Sequence, residues 1–213
     1  MNNSKLNASV EACEYIKSKI EPESIIGVGT GSTVNYFIDE LAKLKHLFKG
    51  TVSSSEASTR LLTKYGIEIF ELNDVNEILF YVDGADEVDP SYNLIKGGGG
   101  AHTMEKIVAS ASNEFVCIVD PSKLVDKLGT FPLPVEVLIK SRSFVAREIV
   151  KLGGVPKLRD NFITDQGNHI LDIKKLNITN PQDLEKKINL IPGVLDNGIF
   201  ANCKPNKLIV GGA

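Results

Sequence analysis

The sequence predicts a doubly wound, mostly parallel α/β sheet of Rossmann-like type, with a second, smaller α+β domain of ferredoxin-like order. Three observations carry that prediction. Short apolar runs alternate with helical patterns through the first two-thirds of the chain, the order that builds parallel sheets. Two of those runs, "ILFYVDG" (78–84) and "EFVCIVD" (114–120), are apolar without alternation, which suits strands covered on both faces. After "GTFPLPVEVL" the pattern becomes strand–helix–strand–strand–helix–strand, the split βαβ order. Turn signals set the expected division at 1–129 plus 201–213 for the catalytic α/β domain and 130–200 for the small domain.

Taken in order, "SIIGVG" (24–29) is a β-branched run ending in glycine, hence a strand. "STVNYFIDELAKLKHLF" (32–48) spaces Phe37, Leu41, Leu44 and Phe48 as a helix does. "GTVSSS" reads as a short strand, "EASTRLLTKYG" as a helix stopped by Gly66, and "IEIFEL" as an alternating strand. In the second part "FPLPVEVLI" is a strand and "SRSFVAREIVKLGG" a helix ended by Gly153 and Gly154. "VPKLRDNFITD" and "HILDIKKL" flank the turn "QGN", and "NPQDLEKKINLIPG" is a helix with Pro181 near its start. "VLDNGIFAN" and "KLIVGG" close the chain, the last strand being free to return to the first sheet.

Composition excludes several classes. Of 213 residues 42% are hydrophobic and 24% charged, the balance of an ordinary globular protein. No apolar run approaches the ~20 residues needed to cross a bilayer. The start "MNNSKLNASVEACEYIKSK" lacks the apolar segment of a secretory signal, so a cytoplasmic protein is expected. Cys13, Cys117 and Cys203 are scattered without metal-ligand spacing and read as reduced thiols, Cys117 in the core. His46, His102 and His169 are dispersed as well. A net charge of −3 leaves no basic footprint for nucleic acid. An anionic ligand must therefore be held by local geometry.

"GVGTGST" (27–33) supplies such geometry between the first strand and the first long helix. A glycine-rich turn opening a helix presents free N–H groups at the positive end of the helix dipole, and Thr30, Ser32 and Thr33 add hydroxyls. The P-loop pattern fails for want of a lysine, and the dinucleotide pattern fails because Ser32 or Val34 stands where glycine is required. A small phosphate or carboxylate cradle survives, beside the plainer reading of a tight turn with a hydroxyl N-cap. For "SSSEAS" (53–58) the capping reading is preferred.

The stretch "YVDGADEVDPSYNLIKGGGGAHTMEK" holds Asp83, Asp86, Glu87 and Asp89, then Lys96, four glycines and Glu105. Asp83 and Asp86 fall at the end of a buried strand, where ligands gather in open α/β sheets. The EF-hand spacing is absent, and one Mg²⁺ on Asp83 and Asp86 stays open as an alternative. Glu87 and Asp89 are expected to face solvent beside the turn "DPSYN". Four glycines let main-chain amides approach one oxygen, as an oxyanion hole does, with Lys96 as a neighbouring cation. Glu105 is early in a helix, where the dipole alone would also favour a carboxylate. A carboxylate base, two further acids, a lysine and an amide-lined hole suit proton abstraction beside a carbonyl, giving an enediolate. With a phosphate cradle, the substrate becomes a sugar phosphate.

The ordered set "GVGTGST", "SSSEAST", "YVDGADEVD", "IKGGGGA", "EK", "DPSK", "LGTFPLPVEV", "VARE", "LGG" and "IPGV…GIFAN" resembles the A-type ribose-5-phosphate isomerases over nearly the whole length. The resemblance implies interconversion of ribose 5-phosphate and ribulose 5-phosphate in the pentose phosphate pathway, without metal or organic cofactor. It implies substrate binding by Thr30, Gly31, Ser32 and Thr33. It also implies a reacting end lined by Asp83, Gly84, Ala85 and Asp86 and by Lys96, Gly97, Gly98 and Gly99. Glu105 would be the base moving a proton between C2 and C1, Lys123 a further binding residue, and the assembly a homodimer or homotetramer. Three departures stand out. Asn7, with Lys5 nearby, occupies the place of a lysine found in some members. Met104 stands where an arginine commonly precedes the glutamate, and "LIVGGA" ends short of the usual extra residues. A sugar-phosphate deaminase or CoA transferase on the same scaffold, and a non-catalytic sugar-phosphate sensor, are the rival readings.

Overall fold

The computed structural model describes residues 2–212. In chain order it runs α1 (Asn2–Lys17), β1 (Ile25–Val28), α2 (Ser32–Leu41), β2 (Gly50–Ser53), α3 (Glu56–Lys64), β3 (Ile78–Asp83), β4 (Glu87–Val88) and β5 (Leu94–Ile95). It continues with α4 (His102–Ser110), β6 (Ser112–Val119), β7 (Leu133–Val137), α5 (Arg142–Lys151), β8 (Val155–Leu158) and β9 (His169–Lys174). Then come α6 (Pro181–Asn189), β10 (Val194–Asn197), β11 (Ile199–Phe200) and β12 (Lys207–Val210). Two compact units divide the chain. Met1–Gly84, Met104–Lys123 and Pro205–Ala213 form the first, and Ala85–Thr103 with Leu124–Lys204 form the second.

The first unit is built on a five-stranded sheet of order β12-β6-β3-β1-β2, parallel throughout. Helices bury it because each carries a narrow apolar stripe. Phe37, Ile38 and Leu41 of α2 pack with Ala8, Ala12 and Ile16 of α1 and with strand residues Ile26, Phe80, Val82, Val116 and Ile118. The α1 stripe recurs every four residues, a helical signal absent from the sequence-based account of the N-terminus. The expected helix over 32–48 stops at Leu41 and tightens into a 3₁₀ turn at Ala42–Leu44. Phe48 still reaches the core, because a turn can deliver an apolar residue as well as a longer helix can. The expected strand "IEIFEL" shrinks to a single bridge between Ile69 and Thr51. The last strand, β12, does return to this sheet, beside β6.

The second unit holds the ferredoxin-like sheet, order β10-β7-β9-β8, antiparallel at every pairing. Val135, Val137, Leu171 and Ile173 of its strands pack with Val145 and Ile149 of α5 and Ile188 of α6. Pro181 opens α6 and Asn180 caps it, accepting from the Asp183 N–H. A three-stranded sheet β11-β5-β4 also belongs here. Its two-residue strands are too short for periodicity to reveal. Among the described residues no helix is long and apolar enough to cross a membrane.

Candidate active site

In the first unit the chain turns one way from β1 to β2 and the other way to β3, β6 and β12. The carboxyl ends of β1 and β3 are thus a topological switch point, the place where open α/β sheets bind ligands. "GTGST" follows β1 and Asp83 ends β3. The Gly29 N–H donates to the Val82 carbonyl at 2.9 Å, and the Thr30 N–H donates to Asp83 Oδ1 at 3.1 Å. A Cβ on Gly29 would fall 1.9 Å from Asp83 Cγ, so a glycine is required for the carboxylate to lie there. Gly31, at φ 118, is the N-cap of α2, and no side chain caps that helix. The hydroxyl-cap reading fails at this loop, while Ser55 does cap α3 by accepting from the Ser58 N–H. Ser32 is exposed and its hydroxyl accepts from the Lys5 ammonium at 2.8 Å. Asn7 turns instead to the Gly212 carbonyl.

Asp83 is fully buried. Its Oδ2 accepts from the Tyr81 hydroxyl at 2.5 Å, and its Oδ1 from the Gly84 N–H at 2.7 Å. Burial first, then the charges of Asp83 and Glu105, push the Tyr81 hydroxyl well above its usual range. Tyr81 therefore remains a neutral donor. Glu105 is buried, 3% exposed, in the first turn of α4, where the helix dipole stabilises its charge. Lys123 ends the 3₁₀ turn after β6. Nearby, Asp120 is buried, which raises its carboxyl, yet the Ser122 hydroxyl and amide and the charges of Lys123 and Lys5 bring it below the usual range.

The second unit holds the other half of the sequence-predicted set. Asp86 accepts the Gly98 N–H at 2.7 Å, and a Cβ on Gly98 would meet its Oδ1 at 2.8 Å. Lys96 follows β5 and is 3% exposed, its ammonium 5.4 Å from the Phe200 ring. Gly97 and Gly100 adopt φ 104 and 83, angles that favour glycine, while Gly98 and Gly99 are exposed. Ala85 is half-buried. Glu87 departs from expectation. It is buried rather than solvated, accepting the N–H groups of Gly129 and Phe131 at 2.7 and 2.5 Å. Two backbone donors of the 129–131 loop need an acceptor there. Asp89 is likewise half-buried, accepting the Ser91 and Asn93 N–H groups. Among the described residues no group of three or more His, Cys, Asp or Glu side chains is placed to hold a metal ion.

The family model for ribose 5-phosphate isomerase A (phosphoriboisomerase A) matches residues 50–213. The chain belongs to the ribose 5-phosphate isomerase A family. A ribose-5-phosphate isomerase A of Legionella pneumophila (strain Lens) is 52% identical over 213 residues, covering 100% of this chain and 97% of that relative. The crystal structure of ribose 5-phosphate isomerase A from Neisseria gonorrhoeae superposes with a TM-score of 0.93 at 48% identity, over 98% of this chain and 92% of that one. A D-ribose-5-phosphate isomerase solved in complex with phospho-erythronic acid gives a TM-score of 0.90 at 39% identity, over 98% and 95% of the two chains.

Tyr81, bonded to Asp83, and Asp120, beside Lys123, in the first unit, and Arg159, bonded to the glycine run, in the second, are absent from the sequence-predicted set. Tyr81 had a signal, since residues two apart on a strand share a face and Asp83 is its i+2 neighbour. Asp120 ends its strand as Asp83 does. Arg159 had none, because it reaches the glycine run from 61 residues away.

Proposed function

We propose that the protein interconverts D-ribose 5-phosphate and D-ribulose 5-phosphate through a cis-enediolate, with Glu105 as the proton-transferring base. The observation that carries this reading is Asp83, whose buried carboxylate is tied to the first glycine loop by the Thr30 N–H. That bond sets an acid for moving protons between sugar oxygens beside a loop suited to phosphate. The uncapped N-terminus of α2, the Ser32 and Thr33 hydroxyls and the Lys123 ammonium take the phosphate. Three chain steps separate Asp83 from Asp86, so covalent geometry alone keeps their Cα atoms within about 11 Å.

The reaction begins with ring opening, assisted by Asp83 and Asp86. The Glu105 carboxylate removes the C2 proton of the open aldose. The electron pair forms the C1–C2 double bond and leaves negative charge on O1. Lys96 and the amides of Gly97 and Gly99 stabilise that oxygen, the Gly98 amide being held by Asp86, and Gly84 and Ala85 line the same end. Asp83 and Asp86 carry the O2 proton to O1, and protonation at C1 by the Glu105 carboxyl completes the ketose. A dimer or tetramer acting in the cytoplasm, in the non-oxidative branch of the pentose phosphate pathway, completes the proposal. The three free cysteines agree with a reducing compartment.

The test is conversion of ribose 5-phosphate in EDTA by wild type and Glu105→Gln. Turnover should persist in the wild type and fall by ~10²-fold or more in the variant. Full activity in Glu105→Gln would refute the base assignment, and loss of wild-type activity in EDTA would revive a Mg²⁺ on Asp83 and Asp86. A deaminase, a CoA transferase or a sensor would leave ribose 5-phosphate unconverted.

A further inference from the structure

The second unit contains a cation that the mechanism above does not use. Arg159 follows β8 and faces β9. Asp172 is cross-strand to Lys157, so Arg159, two residues on, is its diagonal neighbour on the same face. Its Nε donates to Asp172 Oδ2 at 2.9 Å and its Nη2 to Oδ1 at 2.6 Å. Both side chains are largely buried, 16% and 22% exposed. A surface ion pair would need no further account, but the third edge of this guanidinium is also engaged. Nη1 lies 3.2 Å from the Gly97 carbonyl oxygen and 3.2 Å from the Gly98 carbonyl oxygen. Its flank packs over the Phe162 ring, 5.3 Å from the centroid. The same ring fills the space a Cβ on Gly100 would need, 2.2 Å away.

We propose that Arg159, oriented by Asp172, is a positioning residue that fixes the peptide planes of the glycine run, seating the Gly98 amide on Asp86 and turning the Gly99 amide toward the reacting oxygen. A trans peptide is planar, so the carbonyl of one residue and the N–H of the next point in opposite directions. Holding the Gly97 carbonyl sends the Gly98 N–H the other way, where Asp86 accepts it at 2.7 Å. Holding the Gly98 carbonyl turns the Gly99 N–H away from the guanidinium in the same manner. The Gly97 carbonyl also accepts the Gly100 N–H at 2.9 Å, so Arg159 reinforces that turn and adds a hold on the Gly98 carbonyl, where glycine's several backbone wells are otherwise open. Arginine is required because its planar fork satisfies a carboxylate bidentately and still has donors left, which an ammonium cannot match in fixed geometry.

The inference rests on the glycine amides acting as the oxyanion hole proposed above. Its test is steady-state kinetics on ribose 5-phosphate for Arg159→Met, Arg159→Lys and Asp172→Asn, with Gly98 amide exchange measured alongside. For Arg159→Met, kcat should fall about 10- to 100-fold with KM changed less than about threefold, because an oxyanion hole acts on the transition state. Arg159→Lys should recover part of that loss and Asp172→Asn should show a smaller one. Exchange at Gly98 should quicken about tenfold in Arg159→Met while exchange at Gly129 stays as in wild type. Folded Arg159→Met with kcat within twofold of wild type would overturn the proposal, as would a loss confined to KM. If Arg159→Met does not fold, Arg159→Lys decides by the same criteria. Failure of the wild type to convert ribose 5-phosphate would instead strike the isomerase reading itself.

Discussion

Replacing Gly29 with alanine should disable the enzyme through Asp83 without touching any titratable group. The added Cβ would sit 1.9 Å from Asp83 Cγ, 2.0 Å from its Oδ1 and 2.4 Å from its Cβ. Rotation about χ1 cannot clear the clash, because the Asp83 Cβ does not move with that torsion. The ends of β1 and β3 must spread instead, by about 1.5 Å before contact at Cγ becomes ordinary van der Waals packing. That shift strains the bond from the Thr30 N–H, already 3.1 Å long, and displaces the carboxylate from the loop it serves. A misplacement near 1 Å costs about 10²-fold in rate when it moves a reacting group, so kcat should fall at least that far. Overpacking adds a cost of about 1–3 kcal/mol, at roughly 2–4 °C of thermal midpoint per kcal/mol for a chain of this size. Isomerase kinetics and thermal unfolding followed by circular dichroism read the two effects separately. A Gly29→Ala protein with wild-type kcat and an unchanged midpoint would refute the claim that this carboxylate and this loop are locked together.

Three further outcomes follow from the same structure. Tyr81 has its folded pKa raised above the ordinary 10.0, so its stabilisation is complete below about pH 10 and is lost as pH rises through the folded value. Tyr81→Phe should therefore lose about 1.5–3 kcal/mol at neutral pH, the cost of the bond to Asp83, and show a shallower alkaline decline than wild type in urea melts. Burial first, then the charges of Glu40 and Glu14, push the Cys13 thiol up to about 12. Since Cys117 is also buried and Cys203 only partly so, an aromatic disulfide reagent at pH 8 should label Cys203 first and reach Cys13 and Cys117 only on unfolding. Rapid labelling of Cys13 would contradict its placement. Glu87→Ala should cost about 2–4 kcal/mol in denaturant unfolding, because two main-chain donors lose their acceptor. A solvated carboxylate would change stability by less than about 0.5 kcal/mol.

The parallel sheet was legible because β3 and β6 come from uniform apolar runs that end in aspartate and because short strands alternate with helices along the chain. The strand–helix–strand–strand–helix–strand order of the second part was legible from its turn signals, down to Pro181 at the start of α6. The first glycine loop and Asp83 were each legible because strand ends and glycine turns are local features, whereas the Thr30–Asp83 bond that pairs them was not. Where local pattern and tertiary demand part, the sequence falls short. The turn signal beside Glu87 marks a loop nearby, not that the 129–131 loop will cover the carboxylate. The spacing from Phe37 to Phe48 cannot tell a long helix from a helix followed by a tight turn. The strands β4, β5 and β11 are too short to carry a period at all.

By itself, then, the sequence determined the fold class, the ends of the apolar strands and the chemistry-bearing residues it singles out: Asp83, Asp86, Lys96, Glu105 and two glycine runs. Those follow from sterics and polarity acting over a few neighbouring residues. Only the tertiary structure decided which carboxylates are buried as acceptors, that Gly29 must be bare to admit Asp83, and that Arg159 grips the glycine carbonyls. Each of these joins residues tens of positions apart, and such partners are chosen by packing and by the need to satisfy every buried donor, not by any period along the chain.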